Sequence, residues 1–187
     1  MAYSSSNTPV SIISPHFCAP ESINLAIVLK VLTTTDANFV VTDINGNIVF
    51  KVERAFITIH DQRVLRDAAE NPIVTLKWKL LREDSTDSSD LIFSAKTSLI
   101  FQLKTKFNVF LADNTKEDVC DFKIKGSWLK CSSLIYDGES SIIVAEMRKN
   151  GSIQSVLIVH GDSYPNIEYA FIVALIVILD GINNLDD

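Results

Sequence analysis

Near the C-terminus, Tyr169–Leu179 is an unbroken run of eleven apolar residues. A helix with no polar face must be buried on every side. The run is too short to cross a bilayer, for which a helix needs about 20 such residues. A buried strand competes, because Ile and Val are frequent here, but strands usually run about 4–8 residues, so length favours a central helix. The flanks supply its ends: Asn166 as N-cap, Glu168 as an acid in the first turn and Gly181 as the stop. The rest of the chain then has to provide an apolar enclosure.

That remainder reads mostly as short strands. Phe39–Val41 and Ile48–Phe50 flank Asn45-Gly46, a strong hairpin signal. Further strands are expected at Ile23–Leu32, Ala55–Ile59, Val64–Leu65, Ile73–Leu80, Leu91–Lys96, Phe101–Leu111, Val119–Ile124, Leu129–Tyr136, Ile142–Met147 and Ser152–Val159. His60–Arg63 reads as a break and Arg82–Asp90 as a polar loop. About 10–12 strands followed by one apolar helix suggest a closed antiparallel barrel around that helix, since closure removes exposed edges. Val40–Val52 and Leu134–Met147 echo each other as strand, acidic turn with glycine, strand. Residues 1–16, rich in Ser, Thr, Asn and Pro, read as a disordered tail ahead of a single domain, 17–187.

The charge is −6 over 187 residues, which argues against a direct nucleic-acid binder. Three cysteines without ligand spacing, and no basic or long apolar leader, fit reduced thiols in an intracellular protein. His16, His60 and His160 are isolated, and Cys120 and Cys131 are spaced unlike a zinc pair, so no metal or cofactor is expected. Ser127 in Lys125-Gly126-Ser127-Trp128 lacks the second glycine of a nucleophile elbow, and Trp128 reads as core. Asp43, Asn45 and Gly46 look like part of a calcium loop, but the ligand series is incomplete and turn chemistry explains them. No catalytic constellation stands out, and a non-enzymatic protein is expected.

One pattern stands apart. Lys77/Lys79, Lys104/Lys106 and Lys123/Lys125 each form Lys-x-Lys within a strand. Alternation places both lysines of a pair on one face, with the apolar residues facing the core. The first reading is a basic exterior surface, with Arg63 and Arg66 at its rim. The second is ordinary solvent-facing lysines guarding the strands.

Five segments carry a resemblance to a known family: FVVTDINGNIVFKV (Phe39–Val52), HDQRVLRDAAENPIVTL (His60–Leu76), FQLKTKFNVFLA (Phe101–Ala112), CDFKIKGSWLKCSSLIYDG (Cys120–Gly138) and YPNIEYAFIVALIVILDGIN (Tyr164–Asn183). In that order they resemble the plant LURP-one-related proteins. Against the family pattern, Lys77–Asp90 and Gln154–Tyr164 are short. The resemblance implies a tubby-like fold, an antiparallel barrel around a central C-terminal helix, and kinship with phospholipid scramblases and the tubby C-terminal domain. Those relatives imply membrane tethering through anionic lipid headgroups, with a suspected transcriptional role, and some family members are linked to pathogen defence. The lysines Lys104, Lys106, Lys123, Lys125, Lys77 and Lys79 are then the headgroup candidates. The alternative is a protein-interaction scaffold in defence signalling that binds no lipid and uses loops such as Arg82–Asp90. Either way the expectation is a monomer without a transmembrane segment, cytoplasmic, with peripheral plasma-membrane or nuclear pools.

Overall fold

The computed structural model describes residues 11–30, 38–54, 62–77, 92–98, 105–127, 132–150, 154–161 and 167–183. A single 3-10 turn, Pro15–Phe17, opens it. The strands among the described residues are β1 (Cys18–Ala19), β2 (Ile23–Lys30), β3 (Asn38–Thr42), β4 (Ile48–Arg54), β5 (Gln62–Asp67), β6 (Pro72–Lys77), β7 (Phe93–Ser98), β8 (Thr105–Leu111), β9 (Phe122–Ser127), β10 (Ser132–Asp137), β11 (Ile143–Asn150), β12 (Gln154–Val159) and β13 (Ile167–Glu168). One helix, α1 (Tyr169–Asn183), follows them. β1 and β13 form a short antiparallel ribbon. The other eleven strands make one sheet in the order β6-β5-β4-β3-β2-β12-β11-β10-β9-β8-β7. Two meanders, β2 to β6 and β7 to β12, meet where β12 pairs antiparallel with β2.

The helix lies inside this sheet. Every residue from Ala170 to Leu179 is buried, including Phe171, Val173, Leu175, Ile176 and Leu179. They share one apolar cluster with side chains from all eleven strands, from Leu76 on β6 to Phe93 on β7. Phe171 meets Phe93 edge-on at 5.3 Å and Phe122 at 5.2 Å. Beside the start of the helix, Phe17, Phe50 and Tyr169 form a ring trio with centroids 5.5–5.7 Å apart. The mainly β architecture around a buried helix therefore stands. Closure has a narrower outcome. β6 and β7 end the strand order, no pairing joins them among the described residues, and 78–91 lie outside those residues. Of the two short places, β12 in the second is paired on both sides, to β11 and to β2.

Turn chemistry sets three hairpins. Asp43 accepts from the Asn45 and Asn47 amides and from the Asn47 side chain at 2.8–2.9 Å, so its oxygens serve the turn as expected. Asp67 does the same for Asn71 at 2.8–2.9 Å. Gly46 and Glu70, each three residues after its aspartate, have φ of 83° and 70°. The β10–β11 hairpin carries Gly138 at φ 51°. All three hairpins also shift register beside the turn. The aspartate-capped turn is thus common to β3–β4 and β5–β6, whereas the β10–β11 hairpin, the second half of the internal echo, has its positive-φ glycine one residue after Asp137 and shares only the register shift.

Both helix ends correct the sequence reading. Gly181 lies within α1, which runs on to Asn183. Glu168 sits in β13 rather than in the first helical turn, and Asn166 is outside the described residues. Glu168 is 1% exposed, and its carboxylate accepts from three consecutive amides, Ile12 at 2.6 Å, Ile13 at 2.8 Å and Ser14 at 2.9 Å. Such charge-assisted bonds are what make a buried carboxylate tolerable. They also tie down the chain from Ile12, earlier than the expected start of order near Phe17. At the far end, Gln62 and Arg63 belong to β5 rather than to a break. Arg63 points inward and not to an outer rim. It is 4% exposed, donates to Asp180 at 2.7 Å, and its guanidinium stands 5.2 Å from the Phe39 ring centroid. Arg66, three residues on and of the opposite parity, faces out; it is paired with Glu53 at 3.0 Å.

Candidate functional site

β8 and β9 run antiparallel with Lys106 opposite Lys125 and Asn108 opposite Lys123. Phe107, Val109, Phe122 and Ile124, the alternate residues, belong to the core around α1. Alternation therefore puts Lys106, Lys123 and Lys125 together on the outer face. Lys104 and Lys79 are outside the described residues, and Lys77 lies in β6, at the other end of the strand order. The proximity expected of the β8 and β9 lysines is present for these three, and Lys106 facing Lys125 is the like-charge pair across strands that the sequence suggested.

The three lysines are not equivalent. Lys125 is exposed, and its ammonium lies 4.8 Å from the centroid of the Tyr136 ring on β10. Lys106 is half-buried. Lys123 is 5% exposed although it sits on the outer face. It lies between Asn108 on β8 and Tyr136 on β10, its register partners. Its ammonium pairs with the Glu139 carboxylate, which comes from the β10–β11 turn and is 60% exposed. Glu139 also accepts from the buried Cys120 thiol at 3.4 Å. The hydrogen bond from Lys123, then that from Cys120, holds Glu139 below the usual carboxylate range. Burial, then Glu139, pushes the Cys120 thiol up, so it stays a neutral donor.

The site therefore gathers donors and positive charge around one carboxylate. Sequence reasoning found the lysines through their alternation and missed Glu139, Cys120, Tyr136 and Asn108. The only signal for Tyr136 was its parity in Leu134-Ile135-Tyr136-Asp137-Gly138-Glu139. Ser127 lies inside β9 opposite Ser132, away from any strand-to-helix elbow. β9 and β10 approach closely here, for a Cβ on Gly126 would lie 2.3 Å from the Ser132 carbonyl oxygen. Trp128, Cys131 and His60 are outside the described residues. Among the described residues no group of three His, Cys, Asp or Glu side chains is placed to hold a metal ion, and no helix is long and apolar enough to cross a membrane.

An antiparallel sheet curled round one buried C-terminal helix defines the class of protein. Within that class, the family model for LURP-one-related proteins matches residues 23–180, and the chain belongs to that family. It is 47% identical to Protein LURP-one-related 10 of Arabidopsis thaliana, over 95% of this chain and 98% of that one. It is 45% identical to Protein LURP-one-related 15 of the same plant, over 94% of this chain and 87% of that one. An X-ray structure of an Arabidopsis thaliana protein, 41% identical, superposes with a TM-score of 0.67 and covers 92% of this chain and 98% of its own.

Proposed function

We propose that this chain is a non-enzymatic module, a barrel of the tubby-like and scramblase-like type closed between β6 and β7, that docks on anionic phospholipid headgroups at a membrane surface. The observation carrying the reading is the opposition of Lys106 and Lys125 across β8 and β9 on a chain of net charge −6. Like charges directly opposite are unfavourable, and an anionic surface relieves that cost. Each basic residue near an anionic membrane contributes about 1 kcal/mol, so these two give about 2 kcal/mol. That suffices for weak, salt-sensitive contact and not for stable anchoring, which fits a peripheral, reversible monomer.

The test is co-sedimentation with phosphatidylcholine vesicles, with and without a phosphoinositide, at low and moderate salt. Binding that requires the phosphoinositide, weakens with salt and drops in Lys106→Gln/Lys125→Gln supports the reading. Absence of binding at low salt overturns it. A second reading, a protein-interaction scaffold, is favoured by the apolar tip of the β3–β4 turn, where Ile44 is 78% and Ile48 41% exposed. Partners lost in Ile44→Ser and kept in the lysine double variant point to that reading.

A further inference from the structure

We infer that Glu139 is the resident anion of a phosphomonoester site built around Lys123, and that a phosphorylated lipid headgroup binds by taking its place. The inference rests on the lipid-docking reading above and adds to it the atoms that meet the phosphate and the group that competes with it.

Lys123 carries a charge in a place where water cannot serve it, since its side chain is 6% exposed. A buried ammonium needs an anion close by. Its partner, in contrast, is 60% exposed and reaches in from a turn. Glu139 can leave for water by rotating its side chain, whereas Lys123 cannot follow. The backbone of the turn stays where it is. Gly138 donates to Asp121 at 2.8 Å, Asp137 to Ile142 at 3.0 Å and Ser140 to Asp137 at 2.9 Å. The exchange is therefore one side chain for one ligand, with no loop opening.

What Glu139 leaves behind suits a phosphate. The Lys123 ammonium and the Cys120 thiol both point at its oxygens, and Lys106 adds to the positive field there. Phosphate carries three acceptor oxygens and up to two negative charges, so it uses these groups more fully than a carboxylate does. Asn108, directly across from Lys123, has a buried Oδ1 with no hydrogen-bond partner among the described residues. It is an acceptor suited to a hydroxyl, which an inositol ring offers beside its phosphates. Lys125 and Tyr136 border the site toward β10. A singly charged phosphodiester offers neither the charge nor the oxygens to compete with Glu139, so the site selects monoester headgroups over unphosphorylated anionic lipids.

The experiment compares wild type, Glu139→Gln, Glu139→Gln/Lys123→Met and the control Glu70→Gln, which removes the same charge from an exposed ion pair with Lys51. Affinity is measured for soluble inositol trisphosphate by calorimetry, and for vesicles containing either a phosphoinositide or phosphatidylserine. Removing the competitor should tighten inositol trisphosphate and phosphoinositide vesicles about tenfold, the scale of one charge-assisted contact. Phosphatidylserine vesicles should gain much less, and the gain should vanish in the double variant. A tightening confined to vesicles would assign the ligand to the membrane surface as a whole and overturn the site. An equal gain in Glu70→Gln would reduce the effect to net charge and overturn the site as well. If Glu139→Gln changes nothing while Lys106→Gln/Lys125→Gln still lowers vesicle binding, this inference fails and the docking surface stands. If neither changes binding, both fail. Should Glu139→Gln not fold, the wild type is read directly: the side-chain carboxyl 13C resonance of Glu139 moves as inositol trisphosphate is added, and a stationary resonance contradicts displacement.

Discussion

Two buried cations on this one sheet have opposite partners. Arg63 on β5 faces the core and meets Asp180 of α1, with both side chains 5–9% exposed. Lys123 on β9 faces outward and meets Glu139, which is 60% exposed. The first pair is sealed on both sides: neither charge can reach water, so the pair fixes how the helix end sits in the sheet. The second is sealed on one side only, and its anion is free to trade places with another. Burial of a cation does not by itself say how firmly its pair is sealed; the exposure of its partner does.

The largest effect is expected from a buried charge with no partner at all. Ile176 lies 3% exposed on the same helix as Asp180. Ile176→Asp has no Arg63 to meet it and should abolish soluble expression. A soluble Ile176→Asp protein with intact β-sheet signal would break the central-helix account. Next comes the sealed pair. Removing one partner of a buried ion pair typically costs about 3–5 kcal/mol, so Asp180→Ala should lower stability by about that much in urea denaturation. Replacing both, as Arg63→Met/Asp180→Leu, should recover most of the loss. A loss as small as that of an exposed surface pair would mean the pair is not sealed.

These two places also show what the sequence could carry. The helix was legible because its signal is local, an apolar run of the right length. The parity of Lys106, Lys123 and Lys125 was legible because strand alternation is local too. Arg63 was misread as a rim residue because its partner Asp180 is 117 positions away. Glu168 was misread as a helix-start acid because its partners, the amides of Ile12–Ser14, are 154 to 156 positions away. Glu139 is 16 residues past Lys123 by number, and nothing local indicates that the β10–β11 turn folds its carboxylate back over β9. Long-range polar partners have no period, so pattern reading passes over them.

The carboxylates of the outer pairs and turns set the response to acid. Glu139, through the Lys123 hydrogen bond, and Glu70, through the Lys51 hydrogen bond, are held below the usual carboxylate range. Asp43 and Asp67 are held down first by the Asn47 and Asn71 side chains. An acid depressed in the folded state contributes stability above its unfolded pKa and loses it as pH falls through the folded value. Asp137, raised by burial, acts in the opposite sense: its contribution is present below its unfolded pKa and is lost as pH rises through the folded value. With four groups against one, the melting temperature should fall as pH drops below about 4. A flat melting profile through that range would contradict the outer pairs. The smallest effect should come from Lys123→Met. Its apolar stem is conserved and Glu139 goes to water, so the denaturation midpoint should shift clearly less than in Asp180→Ala. An equal shift would make Lys123 a structural cation like Arg63.

The difference between the two pairs is most directly tested by nitrogen-detected NMR of the Lys123 ammonium and the Arg63 guanidinium while inositol trisphosphate is titrated in at constant ionic strength. Exchange of Glu139 for phosphate predicts a saturable shift of the Lys123 resonance and an unmoved Arg63. A Lys123 resonance that stays in place, or that moves equally with added chloride, would contradict it.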